Sequence, residues 1–332
     1  YKATEGDAVY MTTSGGKHWT QMHGLTRGGQ TDLTAHWAIA IDRGTDILYV
    51  GAAVMYKATN ASSPEATLRE SCEGINTPDV VSIAGTDDVL WVGTDGQGVV
   101  RSVDFGRTWE RRLLGLRGKL NLGSLKIHPR DHEVIYSAGE GGLVKTTNAG
   151  KVWVHMPQPG KLKGVEIDPE NVAVAYTVAE ESVFVSRDGG FQWQPWQKAQ
   201  GKRASAMLLH PTKSGVFFLR LESGWERSDD RGESWRTIDA KPAVNLIVSK
   251  NPKTPDTYYF IEGRSRLFRS EDAGANWESI LSGGALMTFS EGVDGALGIG
   301  AETIVGHKQH ARGAQRNKAF ARPDGADAAG RS

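Results

Sequence analysis

The chain has 332 residues, with 39 basic side chains balanced by 39 acidic ones. That balance leaves no global positive field for nucleic acid and no negative one for cationic partners. One cysteine, Cys72, excludes an internal disulfide and a cysteine-based zinc site, and no apolar run reaches the ~20 residues of a membrane-spanning helix.

In chain order, short apolar segments alternate with glycine-rich turns. Strands are predicted at Ala8–Met11 and Trp19–Met22, followed by first strands at Trp37–Ile41, Val80–Ala84, Leu122–Ile127, Gly164–Ile167, Ala206–Leu209, Val244–Val248 and Leu286–Phe289. A second strand follows each, as at Ile47–Gly51, Val89–Gly93, Val134–Ala138, Ala173–Val178, Val216–Leu221, Thr257–Ile261 and Ala296–Gly300. Third strands include Gly98–Arg101, Leu143–Lys145, Val183–Val185 and Leu267–Arg269. Past Gly306 the sequence turns rich in Ala, Gly and Arg. Residues 307–332 are expected to form a disordered tail, and residues 1–306 a single domain.

Each third strand runs into a recurring phrase, S/T-x-D/N-x-G-x-x-W. It occurs at Ser102–Trp109, Thr146–Trp153, Ser186–Trp193, Ser228–Trp235 and Ser270–Trp277, with a weaker copy at Thr12–Trp19 that carries Ser14 in place of the acid. Asp104, Asn148, Asp188, Asp230 and Asp272 are suited to accept backbone N–H groups in an Asx-type turn. The glycine two residues later tolerates positive φ. Trp109, Trp153, Trp193, Trp235 and Trp277 each open the next strand with a large apolar surface. The tryptophans that close the phrase lie, from Trp19, 90, 44, 40, 42 and 42 residues apart, and the doubled first gap implies a degenerate copy near Asn60, with Ser62 for the glycine and Glu65 for the tryptophan. Seven repeats of 40 to 46 residues are the length of four-stranded propeller blades.

The phrase resembles the Asp box, or BNR repeat, of sialidases, sortilin-type propellers, xyloglucan-degrading hydrolases and photosystem-assembly propellers. The resemblance spans roughly residues 1 to 300. It implies an all-β, seven-bladed β-propeller of four-stranded antiparallel blades, with the N- and C-terminal strands sharing the closing blade. That sharing would remove the open edges. Export to the periplasm or the cell exterior is the compartment it favours.

The function expected from this reading is a non-catalytic binding or assembly scaffold that holds a protein, or a glycan, on the loop face opposite the boxes. Arg111, Arg112 and Arg117, with Leu113, Leu114 and Leu116, are expected to combine with Trp196 and Arg203 in a docking patch. The rival expectation is a glycoside hydrolase of sialidase-like or xyloglucanase-like type, for which Glu140, Glu180, Glu222 and Glu262 are the candidate carboxylates. No arginine triad of sialidase type accompanies them. A third expectation is an accessory subunit of a membrane-bound complex. No cofactor or metal is expected, because the histidines are scattered and His128 and His210 open turns before proline.

Overall fold

The computed structural model describes residues 7–302, apart from short segments at 15, 25, 28–29, 32–37, 42–45, 52–53, 64, 75–79, 87–88, 96–97, 118–123, 140–141, 239–244, 250, 252, 264, 283–284 and 292–296. Segments rich in β-branched and aromatic residues, joined between second and third strands by two- or three-residue turns, give antiparallel meanders. Six four-stranded sheets are each built from successive strands among the described residues.

The first blade comprises Ala38–Ile41, Ile47–Gly51, Met55–Thr59 and Arg69–Glu70, and the second Val80–Thr86, Val89–Thr94, Gly98–Ser102 and Glu110–Arg111. The third comprises Ser124–Ile127, Ile135–Gly139, Gly142–Thr146 and Val154–Met156, and the fourth Leu162–Ile167, Ala175–Ala179, Ser182–Ser186 and Gln194–Pro195. The fifth runs through Ala206–Leu209, Phe217–Leu221, Gly224–Ser228 and Arg236–Ile238, and the sixth through Leu246–Val248, Tyr258–Glu262, Arg266–Ser270 and Glu278–Ser282. A further four-stranded sheet draws on both ends of the described chain. Its order is Thr20–Met22, Asp7–Thr12, Leu297–Glu302, Ala285–Glu291, with Val9 opposite Gly300.

Packing follows this order around an axis. The innermost strand Ala285–Glu291 lies against Ala38–Ile41, which lies against Val80–Thr86, and the first strands of the next three blades continue the series. Between neighbouring sheets sit separate apolar clusters rather than one common core. Tyr49, Leu90 and Trp109 join the first and second blades, and Trp91, Leu125 and Trp153 the second and third. Phe218, Tyr258 and Phe260 join the fifth and sixth. The sheet from the chain ends is bound on both sides, through Val9, Met11 and Leu48 to the first blade and through Leu267, Ile280 and Leu297 to the sixth. Each blade is therefore stable only between neighbours.

The recurring phrase closes the turn between third and fourth strands. Ser102 Oγ accepts the Gly106 N–H at 2.8 Å and donates to Asp104 Oδ1 at 2.8 Å, while Asp104 accepts the Thr108 N–H at 2.8 Å. The same three contacts recur at Ser228, Asp230 and Ser234 and at Ser270, Asp272 and Asn276. At the weak copy, Ser14 Oγ takes the carboxylate's place by accepting the His18 N–H at 2.9 Å. The glycine is held at φ +71° in Gly150, where an added Cβ would stand 2.5 Å from the Trp91 ring of the preceding blade. The indole N–H groups of Trp109, Trp193, Trp235 and Trp19 donate to the carbonyls of Ser71, Pro157, Lys198 and Ile280, each on the preceding sheet or the segment leaving it.

At the degenerate copy the structure corrects one assignment. Leu68, 1% exposed, occupies the tryptophan's place rather than Glu65: its N–H donates to the His23 carbonyl at 2.7 Å, as the Trp109 N–H donates to Glu73 and the Trp153 N–H to Leu114. Ala58 stands where the other copies carry the Ser or Thr hydroxyl, and Asp46 from another turn takes over that role, accepting the N–H of Ser62, at the glycine's position, at 3.0 Å and its hydroxyl at 2.5 Å.

Candidate binding surface

Antiparallel order places the hairpin tips between second and third strands, and the connections from each fourth strand to the next blade, away from the recurrent turns. A concavity lies there, at the fourth blade. It is a cleft of about 360 Å³ between the tip Glu180–Val183 and the segment Pro195–Arg203. A second, more open hollow of about 480 Å³, lined by Lys202, Arg203, Leu221 and Glu222, shares the Gly201–Arg203 wall.

Local sequence explains this shape. Glu180 and Glu181 are the two central residues of a tight hairpin, with Ala179 paired to Ser182 and both glutamates at positive φ, +49° and +65°. Such turns prefer Asn-Gly, because a Cβ in the left-handed region costs about 1–2 kcal/mol per residue. Two carboxylates are thus presented at a strained tip. Glu181 receives Arg203 through Nε at 2.8 Å and Nη2 at 2.5 Å, and this hydrogen bond and charge raise the Arg203 pKa. Behind them the short 3-10 turn Gln197–Ala199 and Trp196 form the floor. Lys202 Nζ pairs with Glu226 at 2.5 Å and lies 5.5 Å from the Trp235 ring centre.

The predicted patch is divided. Trp196 is 5% exposed and packs edge-on against Tyr176, Phe217 and Trp235, so it belongs to the core and not to an outer surface. Arg203 is exposed at the cleft. Arg111 lies on the outer strand of the second blade and Arg112 follows it, with the whole third blade between them and Arg203, while Arg117 lies at the third blade. Arg112 is paired with Glu110 through Nε at 3.0 Å. The segment after it runs along the outer strand of the third blade: the Leu114 carbonyl accepts the Trp153 N–H and the Arg117 N–H donates to His155 Nε2 at 3.2 Å. Leu116 packs with the cluster between these blades, whereas Leu114 is 68% exposed.

The candidate carboxylates sit on different tips. Glu222 is exposed beside the second hollow, and Glu262 pairs with Arg266. Glu140 lies outside the described residues. No cluster of three or more metal-ligating side chains occurs among the described residues. His128 and His210 are buried turn caps. His210 Nδ1 accepts the N–H groups of Thr212 and Lys213, Nε2 donates to the Pro255 carbonyl at 2.9 Å, and burial lowers its pKa to about 4. No described helix is long and apolar enough to cross a membrane.

The sequence reading overlooked one feature shared by five of the copies. Lys57, Arg101, Lys145, Arg227 and Arg269 all stand three residues before the Asp or Asn of their turn. Lys57 and Lys145 donate to the Phe105 and Gly189 carbonyls in the next blade's turn, Arg101 lies over Trp91, and Arg227 over Phe218 and Tyr258. Lys57, Lys145 and Arg227 thereby reach the next blade, whereas Arg101 lies over a ring of its own blade and Arg269 pairs with Glu278 of its own. The recurring basic position was the available signal.

Comparison with known proteins supports the propeller. The Sortilin-Vps10 family (sortilin, neurotensin receptor 3) matches residues 181–318. Xyloglucanase Xgh74A of Acetivibrio thermocellus is 22% identical over 270 residues, covering 60% of this chain and 30% of that protein. The vacuolar protein sorting/targeting protein 10 of Fusarium vanettenii is 26% identical over 97 residues, covering 29% of this chain and 6% of its own. The chain thus spans less than a third of the length of the curated relatives it matches. Among solved structures, YCF48 bound to D1 peptide superposes with a TM-score of 0.61 at 15% identity, covering 81% of this chain and 91% of that one. YCF48 from Cyanidioschyzon merolae gives 0.55 at 15% identity, covering 80% and 96%. The GH74 xyloglucanase from Xanthomonas campestris gives 0.55 at 18% identity, covering 74% and 46%. These similarities place the fold among β-propellers.

Proposed function

We propose that the chain is a non-catalytic propeller scaffold that holds a protein segment on the face opposite the recurrent turns, at the cleft between Glu180–Glu181 and Arg203. The observation that carries this reading is the strained tip. A glutamate pair held at positive φ, where Asn-Gly is easier, is a backbone cost without a packing return, and such costs collect at working sites. Its pairing with Arg203 over a cleft presents both signs of charge to an extended chain. The extent of the match to YCF48, a structure solved bound to D1 peptide, supports the same reading.

The ring is proposed to hold seven blades, with the sheet from the two chain ends as the closing one and the recurrent turn as a true Asp box. Support comes from the Asp7–Thr12 pairing with Leu297–Glu302 and from the Trp19 indole reaching Ile280 as other box tryptophans reach their preceding blades.

The test replaces Glu180 by Asn and Glu181 by Gly. Relief of the strained tip raises the melting temperature, while binding of a protein partner captured by the wild type is lost. A variant that keeps the partner overturns the cleft assignment. The second reading, a xyloglucan-type hydrolase, rests on the 22% identity to Xgh74A. It is supported instead if reducing ends are released from xyloglucan and Glu180→Gln or Glu222→Gln abolishes the release. A role as accessory subunit of a membrane-bound complex is the scaffold reading with a particular partner.

A further inference from the structure

Repeats allow each blade to serve as a control for the others. The residues flanking the box tryptophan, one before and one after, face outward from the rim because the tryptophan between them is turned inward. They are Thr108 and Glu110 in the second blade, Gln192 and Gln194 in the fourth, Ser234 and Arg236 in the fifth, and Asn276 and Glu278 in the sixth, all exposed. In the first blade Thr67 and Arg69 flank Leu68. The third blade departs from this pattern. Its pair is Val152 and Val154, 40% and 50% exposed on either side of the buried Trp153.

The neighbouring segment departs in the same place. The residue whose carbonyl accepts the tryptophan's N–H is Glu73 at the second blade and Leu114 at the third. Gly74 and Gly115 follow them with matching φ of +91° and +93°, which fixes the equivalence. Leu114 is 68% exposed, directly across from Trp153. Three exposed apolar side chains therefore lie at one rim junction: the flanking pair stands where the other described blades carry polar residues, and Leu114 where the second blade carries Glu73. Neither the fold nor its turn chemistry requires them there.

Cations frame this patch. Lys151 and Arg117 are exposed, and neither forms an ion pair with a described residue. His155 is exposed between Val154 and Met156 and is oriented by the Arg117 N–H. The nearby Glu110 is engaged with Arg101 and Arg112. We infer that Leu114, Val152 and Val154, flanked by Arg117 and Lys151, form a docking site on the rim of the third blade for an extended partner segment carrying apolar side chains between acidic ones. The charge framing selects the acidic occupant, and the apolar triad supplies the contact area. The site is separate from the cleft at Arg203.

The test uses the repeat's own residues. Val152→Thr, Val154→Glu and Leu114→Glu reproduce the second blade's Thr108, Glu110 and Glu73, so each replacement is one this architecture already accommodates. Fluorescence anisotropy is measured with a labelled peptide of alternating Leu and Asp, and with its Leu–Lys counterpart. The wild type binds the acidic probe at least about tenfold more tightly than the basic one. The triple variant loses at least about tenfold in affinity at unchanged melting temperature. Glu181→Gly, which dismantles the cleft, leaves the acidic probe bound, and this separates the two proposals. Equal binding of both probes, no binding of either, or undiminished binding by the triple variant overturns the inference. So does a wild-type dimer in sedimentation that the triple variant abolishes, because the occupant is then a second copy. Should the triple variant unfold, Lys151→Glu/Arg117→Glu with the apolar triad intact serves instead, and undiminished acidic-probe binding there overturns the inference equally.

Discussion

At the scale of single residues, the recurrent turn separates conformational from chemical requirements. Gly150→Ala places a Cβ in the left-handed region and into the Trp91 ring, and should cost at least about 2 kcal/mol. Gly201→Ala has a similar φ, +79°, with nothing within 4 Å, and should cost only about 1 kcal/mol. Urea midpoints of the two variants check the ordering. The turn acids differ in the same manner. Asp188 accepts the Phe191 and Gln192 N–H groups and the Ser186 hydroxyl, whereas Ser14 Oγ accepts the His18 N–H. Asp188→Ala therefore lowers the midpoint more than Ser14→Ala, and equal shifts would remove the carboxylate from turn closure.

These residues also set the acid response. His210 is held neutral by burial, with a pKa of about 4 against about 6.5 unfolded, so the unfolded chain binds more protons between those values. Stability is therefore full above pH 6.5 and falls as pH drops toward 4, by at most about 3 kcal/mol. The carboxylates follow at lower pH. Asp230 is held near 2 by the Ser234 hydroxyl and N–H, and Asp272 near 2 by the Asn276 N–H. Their contribution is present above the unfolded value of about 3.9 and disappears as pH falls toward 2. Melting curves across pH 7 to 2 should show both declines, and His210→Gln should remove part of the upper one.

At the scale of elements, the tryptophans and the connections between blades have distinct tasks. Trp196 packs among three aromatic neighbours and closes the floor of the cleft, so Trp196→Ala should cost about 3–5 kcal/mol. Leu114→Ser, on an exposed turn, should change the midpoint little. Comparable losses from the two variants would mean that Leu114 is needed by the fold, which would also remove the basis for the rim site. Trp109→Phe keeps most of the buried ring and loses the 2.8 Å hydrogen bond to Ser71, a cost of about 1 kcal/mol borne at a single blade junction.

At the scale of the whole molecule, the proposed closure makes a firm demand. Removing residues 1–22 takes Asp7–Thr12 and Thr20–Met22 from the sheet they share with Leu297–Glu302. The strand left behind has an open edge, so the truncated protein should unfold or self-associate, read by sedimentation and thermal melting. A monomer with an unchanged melting temperature would place closure elsewhere. Stability passes from blade to blade through separate apolar clusters, so loss of one sheet exposes both of its neighbours.

The all-β propeller of four-stranded blades was legible in the sequence because each blade repeats its turn chemistry locally. Serine, aspartate, glycine and tryptophan act within a few residues of one another, and their spacing survives in one dimension. The degenerate copy was legible only in part. Its turn acceptor comes from Asp46 across a hairpin and its anchor is Leu68, bonded to His23 of the segment leaving another sheet, and neither contact is local in sequence. The surface was least legible. Arg111 and Arg203 read alike as loop cations, yet one lies on the outer strand of the second blade and the other crosses a cleft to Glu181. Trp196 read as a loop aromatic and is buried, because the chain turns inward just after Pro195 to meet Phe217 of the following blade. Local chemistry writes itself into sequence spacing, whereas the sharing of a surface is decided by which blades become neighbours, and that order exists only once the clusters between sheets have packed.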